Sequence, residues 1–465
     1  TFYHIDFSFD ELRLGGSAFA QSLNKVGSDV PTVQNPEYFR DAFLAIQDLI
    51  NKGLILAGHD ISAGGLITTL LEMCFANMES GMEINLDKIN CDDIVKILFA
   101  ENPGIVIQVA DKHKAEVKQI LENAGVGYIK LGKPTEERHI LVTKDDATYQ
   151  FGIDYLRDVW YSTSYLLDRK QSMNGCAKKR FENYKQQPVE FAFDPSFTGK
   201  LSQFGLNPDR RTPSGIKAAI IREKGTNGER EMAYILYLAG FDVKDVTMTD
   251  LISGRETLED INMIVYCGGF SNSDVLGSAK GWAGSFLFNP KAKAALDNFY
   301  ARKDTLSLGV CNGCQLMMEL GLITPEDEKK GKMLHNDSHK FESSFVGVTV
   351  PMNRSVMFGS LSGSKLGIWV AHGEGKLSLP YDEDYYNVVL KYSYDEYPGN
   401  PNGSDYSIAG IASKDGRHLA MMPHLERAFF PWQNAYYPLN RLHEDQITPW
   451  MEAFVNARVW IENNK

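Results

Sequence analysis

The segment that most constrains this chain is SLGVCNGCQLMMELG, residues 307–321, in which a short apolar strand runs into a helix. The apolar residues before the turn alternate as in a strand, and the helix is expected to begin at Asn312. The pattern Gly309-x-Cys311-x-Gly313 is typical of a nucleophile elbow, because its glycines permit a tight turn. Such a turn exposes the sulfur at a helix N-terminus, whose partial positive charge favours a thiolate. The segment therefore predicts a cysteine nucleophile at the edge of an α/β sheet.

Two other interpretations of this cysteine stay open. Cys311 is a buried structural residue in the first, and in the second it forms a redox or metal pair with Cys314. A zinc site would need two more soft ligands, and the sequence holds no second Cys-x-x-Cys pattern. Cys314 would lie in the first helical turn, where we expect it to serve packing.

A cysteine nucleophile needs a general base, and the base needs an acceptor that orients it. The segment RHLAMMPHLERAFF, residues 417–430, supplies His424 and, two residues later, Glu426. In an extended segment residues two apart point to the same side, so both side chains can turn toward one elbow. A lone histidine is more often structural, but together with the elbow this pair predicts a triad of Cys311, His424 and Glu426.

Two glycines after the apolar strand MIVYC are candidates for an oxyanion hole. Gly268 and Gly269 can turn a backbone N–H toward a developing oxyanion, together with the N–H of Asn312. The alternative is a pair of loop glycines without a catalytic role. The turns that follow neighbouring strands of a doubly wound sheet gather at one edge, where ligands bind.

Composition excludes several functional classes. The chain has 48 basic and 60 acidic residues and a net charge of −12, so it has no basic field for nucleic acid or an anionic membrane. Six cysteines in 465 residues do not suggest a secreted disulfide framework, and a cytoplasmic location is expected. There is no uncharged apolar run of about 18 residues, the length of a membrane span. The start, TFYHIDFSFDELRLGG, lacks signal-peptide features and an initial methionine, which suggests a piece of a longer chain.

Three segments differ in their pattern. Residues 1–145 alternate strands and helices, which predicts an α+β subdomain; the strand GLILAGHD runs into a helix, placing Asp60 and Ser62 at the turn. The alternative for this segment is a structural scaffold with no catalytic or ligand-binding residues. Residues 146–212 hold one helix candidate and then polar, proline-punctuated sequence, which predicts a packed linker. Residues 213–465 predict a doubly wound, flavodoxin-like α/β domain.

The region 216–465 resembles class I glutamine amidotransferases, and among them the phosphoribosylformylglycinamidine synthase family. The resemblance is carried by CGGFSNSDVLGSAKGWAGSFLFN, GVCNGCQ, HKFESSF, AHGEGK, YPGNPNGS and MMPHLER. It implies Cys311 as the nucleophile and His424 with Glu426 as the rest of the triad. It also implies residues that hold glutamine or support its pocket: Gln315, Phe341, Glu342 and His372.

The N-terminal region resembles the closing subdomain of the synthetase half of the same family. The matching segments are LGGSAFAQ, GHDISAGGL and LFAENPGIVIQV, and LRDVWYSTSYLLDRKQ resembles the segment that joins the two halves. The resemblance implies a largely structural ATP or ADP with Mg²⁺, with Asp60 as a metal ligand and Ser62 as a nucleotide contact. Most other ligands of that site are expected upstream of Thr1.

The implied reaction is release of ammonia from L-glutamine and its transfer to formylglycinamide ribonucleotide at the expense of ATP, in purine biosynthesis. The implied full-length protein is a cytoplasmic monomer that binds neither nucleic acid nor membrane. Another class I amidotransferase serving a different synthetase, or a docking fragment with an idle triad, are the alternatives.

Three departures from the family pattern bear on these expectations. Asn272-Ser273 stand where the family has Tyr-Gly, which affects the loop beside the oxyanion hole. Leu425 replaces a proline between the catalytic histidine and glutamate, which is expected to change turn rigidity. Ala63 replaces an aspartate, which puts part of the nucleotide contact in question.

Overall fold

The computed structural model describes residues 1–186 and 189–464, which divide into two units, Thr1–Ser164 and Tyr165–Lys465. The division falls inside the predicted linker, 146–212, so most of that segment belongs to the second unit. Residues 187 and 188 of the predicted linker, and residue 465 at the end of the predicted 213–465 domain, lie outside the described residues.

The first unit is an α+β arrangement, as predicted. Its strands are β1 (Phe2–Asp6), β2 (Ile55–Ile61), β3 (Gly81–Asn85), β4 (Gly104–Val109), β5 (Ile129–Thr135), β6 (His139–Lys144) and β7 (Ala147–Gly152). Its helices are α1 (Ala18–Ser22), α2 (Pro36–Asn51), α3 (Gly65–Phe75), α4 (Ile94–Phe99), α5 (Lys114–Asn123) and the start of α6 (Ile153–Gln171). Within the described residues these strands form one sheet in the order β2-β4-β1-β5-β3-β6-β7, antiparallel except between β3 and β6.

Each face of this sheet buries its own apolar cluster. Phe2 and Val106 belong to one cluster, whereas their neighbours Tyr3 and Ile107 belong to the other. Successive side chains of a strand point to opposite faces, so apolar residues at adjacent positions fill both clusters. Helix α3 contributes to the first cluster and helix α2 to the second.

The second unit holds the larger sheet. Its strands are β8 (Lys217–Arg222), β9 (Thr226–Asn227), β10 (Asp242–Thr247), β11 (Met263–Tyr266), β12 (Gly268–Gly269), β13 (Leu306–Val310), β14 (Lys332–Leu334), β15 (Glu342–Thr349), β16 (Lys365–His372), β17 (Lys376–Ser378), β18 (Asn387–Tyr392), β19 (Ile408–Ala412) and β20 (His418–Met421). Its helices after α6 are α7 (Cys176–Glu182), α8 (Glu229–Ala239), α9 (Met248–Ser253), α10 (Lys280–Leu287), α11 (Pro290–Ala301), α12 (Asn312–Glu319), α13 (Leu439–Leu442) and α14 (Trp450–Asn464).

The main sheet of this unit is doubly wound at one side. Among the described residues its strand order is β10-β8-β11-β13-β20-β19-β18-β15-β16, and the first five strands run parallel. Numbered by their place in the chain, those five strands follow the order 2-1-3-4-5, which is the flavodoxin-like arrangement. Every residue of β11 and β13 is buried, because helices cover both faces of a parallel sheet. The predicted fold class is therefore confirmed.

The parallel register brings three candidate segments to one edge. Tyr266 lies opposite Gly309, and Val310 lies opposite Met421. The turns that follow β11, β13 and β20 therefore emerge side by side. In the part of the chain that the structure describes, no helix has both the length and the apolar character needed to cross a membrane.

Candidate active site

Cys311 lies in a strained turn between β13 and α12. Its backbone has φ 52° and ψ −108°, outside the regions that residues other than glycine commonly adopt. The turn is tight because Gly313 packs directly on the end of β11: a Cβ at this position would lie 2.1 Å from the carbonyl oxygen of Tyr266. Strain of this kind persists only where the surrounding structure enforces it, and it is common at active sites. The structure thus builds the turn that the glycine pattern predicts.

His424 and Glu426 form a buried hydrogen-bonded pair. Nδ1 of His424 lies 2.6 Å from Oε1 of Glu426, and each side chain is 2% exposed. Burial lowers the pKa of His424, but the charges of Glu426 and of a Cys311 thiolate outweigh it and raise the pKa to about 10. The imidazolium is therefore the favoured form beside the sulfur.

The local structure of this pair differs from the extended segment that the sequence predicts. Strand β20 ends at Met421, and Leu425–Arg427 form a 3-10 turn. The hydrogen bond between residues two apart arises from this turn, and the departure residue Leu425 is fully buried within it.

Gly268 lies against two members of the predicted triad, Cys311 and His424. A Cβ at this position would lie 2.8 Å from Cε1 of His424 and 3.3 Å from Cβ of Cys311. A larger residue would therefore collide with the imidazole. Within the described residues, Nε2 of His424 is buried without a hydrogen-bond partner, which leaves it available to a reacting group.

The glycine pair is held in place by a short ladder. Gly268 pairs with Asn227 and Gly269 with Thr226, so the predicted loop glycines form the two-residue strand β12. The N–H of Asn312 lies in the first turn of α12, where helical N–H groups have no intrahelical partner. The Asn312 side chain accepts the N–H of Ser271 at 3.1 Å, which ties this loop to the helix. The backbone beside Cys311 can thus supply donors to an oxyanion.

The departure residues in this loop adopt unusual backbone angles. Asn272 and Ser273 have φ of 51° and 57°, in the left-handed region. Asparagine tolerates that region better than most residues, whereas serine has no such advantage. The loop beside the glycine pair is therefore locally strained.

Gln315 connects the helix to the opposite wall of the site. Its Nε2 donates to the carbonyl oxygen of Glu374 at 2.8 Å, and its Oε1 accepts from Asn312 at 2.9 Å. Both ends of its amide are thus used within the protein. Gln315 supports the wall of the site, and its direct contact with glutamine stays a prediction.

His372 lies beside His424 as a neutral imidazole. Burial and the charge of His424 lower its pKa to about 3. Asn336 donates to the carbonyl oxygens of His372 (2.7 Å) and Lys340 (3.1 Å), so its own oxygen faces the ring of His372 and accepts from Nδ1 at 3.2 Å. Nε2 is then the unprotonated nitrogen, buried and without a partner among the described residues. The preceding carbonyl, of Ala371, lies 3.5 Å from Sγ of Cys311.

The structure separates the other two pocket candidates. Phe341 is 49% exposed and packs against Phe270, with ring centroids 5.9 Å apart, at the rim beside the glycine pair. Glu342 is buried and accepts hydrogen bonds from Arg180 and Tyr397, each at 3.0 Å. Its hydrogen bonds are to protein groups, so Glu342 supports the structure around the site. Sequence reasoning missed Asn336 and Arg180, and no spacing pattern marks either residue.

The turn that holds Asp60 and Ser62 in the first unit, here called the Ser62 turn, is open by comparison. The Asp60 side chain is 75% exposed, and His59 lies between it and Glu72, with Nε2 3.0 Å from the Glu72 carboxylate. Ser62 is exposed, and the N–H of Gly64 at the start of α3 donates to Glu101 at 2.8 Å. No group of three or more His, Cys, Asp or Glu side chains that could hold a metal ion occurs among the described residues. These residues do not by themselves form a magnesium-nucleotide site, and the roles of Asp60 and Ser62 stay predictions.

Two family models match the chain. Residues 215–461 match the CobB/CobQ-like glutamine amidotransferase domain, and residues 8–145 match the C-terminal domain of AIR synthase related proteins. The first match covers the main sheet of the second unit and all three members of the predicted triad. The segment between the matches, 146–214, belongs to neither.

Curated relatives match almost the whole chain. It is 39% identical over 487 residues to a probable phosphoribosylformylglycinamidine synthase, chloroplastic/mitochondrial, from Arabidopsis thaliana, covering 99% of this chain and 34% of the relative. It is 38% identical over 481 residues to phosphoribosylformylglycinamidine synthase from Homo sapiens, covering 96% and 35%. The chain therefore spans about a third of the length of these relatives. The PurLQS structure from Thermotoga maritima matches with 29% identity and a TM-score of 0.39, over 54% of this chain and 98% of that one.

Proposed function

The chain belongs to the CobB/CobQ-like glutamine amidotransferase family, and we propose that it hydrolyses glutamine at Cys311 and delivers the ammonia to a synthetase that amidates formylglycinamide ribonucleotide. The observation that carries the first part is the buried His424–Glu426 pair beside a cysteine in a strained strand-to-helix turn. The names of the relatives support the choice of acceptor.

The first half of the proposed reaction forms a thioester. The Cys311 thiolate attacks the side-chain carbonyl carbon of glutamine, and backbone N–H groups near Gly269 and Asn312 stabilise the oxyanion. His424 then gives its Nε2 proton to the leaving nitrogen, so ammonia departs as the carbonyl re-forms. Glu426 keeps the ring oriented through Nδ1 and stabilises its positive charge.

The second half regenerates the enzyme. The neutral imidazole accepts a proton from water, and the resulting hydroxide attacks the thioester carbon. The same donors stabilise the second oxyanion, and collapse of the intermediate releases glutamate and the thiolate. The sum is glutamine plus water giving glutamate plus ammonia, without a metal or cofactor at this site.

The acceptor half of the proposal concerns the full-length protein. ATP would activate the formamide oxygen of formylglycinamide ribonucleotide, ammonia would replace it, and the product would be the amidine used in purine biosynthesis. The match of residues 8–145 to an AIR synthase related domain supports a synthetase partner in the same protein. We propose that Asp60 and Ser62 contribute to an ATP or ADP site with Mg²⁺ that other parts of that protein complete.

The remaining expectations belong to the same proposal. The domains would be residues 1–145, a linker over 146–212, and 213–465. The full-length protein would act as a cytoplasmic monomer, and the six free cysteines are consistent with a reducing compartment.

The test of the glutaminase step uses two neighbouring cysteines. We expect Cys311→Ala to lower glutamate release from glutamine by about 1000-fold or more, because no other group forms the thioester. Cys314→Ala is the matched control: burial raises the pKa of its thiol well above the ordinary value, so it is inert. Diazo-oxo-norleucine should label Cys311 in the wild type and in Cys314→Ala. A Cys311→Ala variant with the native rate would refute the mechanism.

A second measurement separates the alternatives for the acceptor. The full-length protein, given ammonium salt and ATP, should turn over formylglycinamide ribonucleotide. Turnover of a different acceptor would make the chain an amidotransferase for another synthetase. Equal labelling of Cys311 and Cys314 would indicate an idle triad in a docking fragment.

A further inference from the structure

A partly buried ionic cluster in the second unit, with buried acids and half-buried bases, joins the end of α6 and helix α7 to the turn before β15. Asp168 accepts from Lys340 at 2.7 Å and from Arg180, and Arg180 also donates to Glu342 at 3.0 Å. The two acids are 7% and 5% exposed. Removing one partner of such a cluster leaves a buried charge uncompensated, so the arrangement is sensitive to single substitutions.

Further contacts fix the same turn, which comprises residues 336–342. The N–H of Met173 donates to the carbonyl oxygen of Ser338 at 2.9 Å, and the Asn174 side chain donates to that of Asp337 at 2.8 Å. The Ser338 hydroxyl donates to Glu342 inside the turn. Residues 168–182 therefore hold the turn through both backbone and charge.

The other side of this turn reaches the catalytic residues. Asn336, its first residue, donates to the His372 carbonyl, accepts from the ring of His372 and accepts the N–H of Gly375 at 2.9 Å. Glu342, its last residue, lies directly opposite His372 in the β15–β16 ladder. The turn therefore contacts His372 at its first residue and lies opposite His372 at its last residue.

We infer that residues 168–182 are a positioning element of the glutamine site, in which Arg180 holds the turn 336–342 and that turn fixes His372. These residues lie outside both matched regions, 8–145 and 215–461, so neither family model assigns them a role. The catalytic meaning of this element rests on the proposed function. Its structural part, the coupling of Arg180 to residues 336–342 and 371–375, does not.

The first arm of the test needs no substrate. In the 465-residue chain, Arg180→Met should speed hydrogen–deuterium exchange about fivefold or more in peptides covering 336–342 and 371–375, because the turn loses its anchor. Lys179→Met is the matched control on the same helix, since the Lys179 ion pair with Glu396 is exposed and 3.7 Å long. Unchanged exchange in both peptides of Arg180→Met overturns the inference.

The second arm measures glutamine hydrolysis. Arg180→Met should raise KM for glutamine about fivefold or more with a smaller change in kcat, because the cluster contacts the wall of the site and not the triad. Arg180→Lys should recover part of the loss, since it restores the charge but not the forked geometry. A KM equal to that of Lys179→Met overturns the positioning role.

Two outcomes keep the inference separate from the proposed function. If the wild type neither hydrolyses glutamine nor labels at Cys311, the proposed function fails while the exchange experiment still decides the coupling. If Arg180→Met does not fold, Tyr397→Phe takes its place, because it removes the hydroxyl that accepts from Arg180 and donates to Glu342, and it keeps the ring. Its exchange in 336–342 should rise about twofold, and no rise overturns the inference.

Discussion

The turns at Cys311 and at Ser62 are both strand-to-helix turns, yet only one is enclosed. Cys311 follows β13, is 4% exposed and lies against the glycine pair, a histidine and a neighbouring carbonyl. Ser62 follows β2, is exposed, and precedes helix α3, at whose start the N–H of Gly64 donates to Glu101. Both turns lead from a strand into a helix, but distant segments bring different residues to each of them.

This difference shows that a turn becomes a reactive site through residues far away in the chain. The Cys311 turn receives His424 and Glu426 from the loop after β20 and Ala371 from β16. At the Ser62 turn, the N–H of Gly64 instead donates to the carboxylate of Glu101 in the same unit. Among the described residues, the first turn is surrounded by all members of the predicted triad, whereas no comparable group of metal-ligating side chains surrounds the second.

The largest effect expected from this comparison is on Glu426. We expect Glu426→Gln to lower kcat/KM for glutamine about 100-fold or more, because a neutral amide neither stabilises the imidazolium nor fixes its tautomer. Without that carboxylate, less negative charge opposes the effect of burial, so the pKa of His424 falls from about 10. The imidazolium then loses its proton at a lower pH. The rate of Cys311 alkylation, measured from pH 5 to 10, should show this shift.

The control for this experiment lies in the other turn. Asp60→Asn should change kcat/KM for glutamine by less than about twofold, because its side chain is exposed and lies in the other unit. A Glu426→Gln variant within about threefold of wild type would contradict the triad. A large loss in Asp60→Asn would contradict the independence of the two turns.

A smaller effect is expected on stability when the glycines of the two turns are replaced. Gly313→Ala places a Cβ 2.1 Å from a backbone oxygen that cannot move aside, so we expect a cost of about 3 kcal/mol. Gly64→Ala meets the side chain of Thr68, where rotation moves Oγ1 aside but not the Cβ at 2.9 Å, and adopts φ +92°, so about 2 kcal/mol is expected. Denaturation followed by hydrogen exchange in peptides of each unit measures both.

Gly152→Ala serves as the reference substitution. No described atom lies within 4 Å of a Cβ at this position, so its cost should stay within about 0.5 kcal/mol. If Gly313→Ala were no worse than this reference, the close packing of the Cys311 turn would not matter to stability.

The sequence predicts the features of this site that lie close together in the chain. The alternating strand, the glycines around Cys311 and the spacing of His424 and Glu426 each occupy a few residues, and the structure brings them to one sheet edge. The doubly wound sheet follows from apolar strands separated by helices, which need burial on both faces. Short patterns of this kind predict local geometry, because the residues that form it are close together in the chain.

The supporting residues could not be found in the same way. Glu101 acts on a turn 37 positions away, and Arg180 acts on Glu342 across 162 positions. Such contacts depend on how the chain packs, and any Arg or Glu of suitable burial could make them. The 3-10 turn after His424 is a related case, because the extended segment expected there ends at Met421, before His424 and Glu426.

The smallest effect concerns the carboxylates of the open turn. Glu101 accepts the N–H groups of Ala18 (2.7 Å) and Gly64 (2.8 Å), so Glu101→Gln should destabilise the first unit by about 1 kcal/mol. Asp60→Asn should stay within about 0.5 kcal/mol, because its side chain is exposed and contributes little to folding. Thermal unfolding at equal ionic strength measures both changes.

Adding Mg²⁺ with ADP sharpens this last measurement. A ligand that binds only the folded state raises the melting midpoint, by an amount that grows with the logarithm of its concentration above Kd, so an incomplete site in this 465-residue chain should give no rise. A rise in the wild type that Asp60→Asn abolishes would show that the Ser62 turn binds nucleotide with these residues alone. Glu101 would then have to give up the N–H of Gly64 to the phosphate, and Glu101→Gln should strengthen the binding by removing a competing charge.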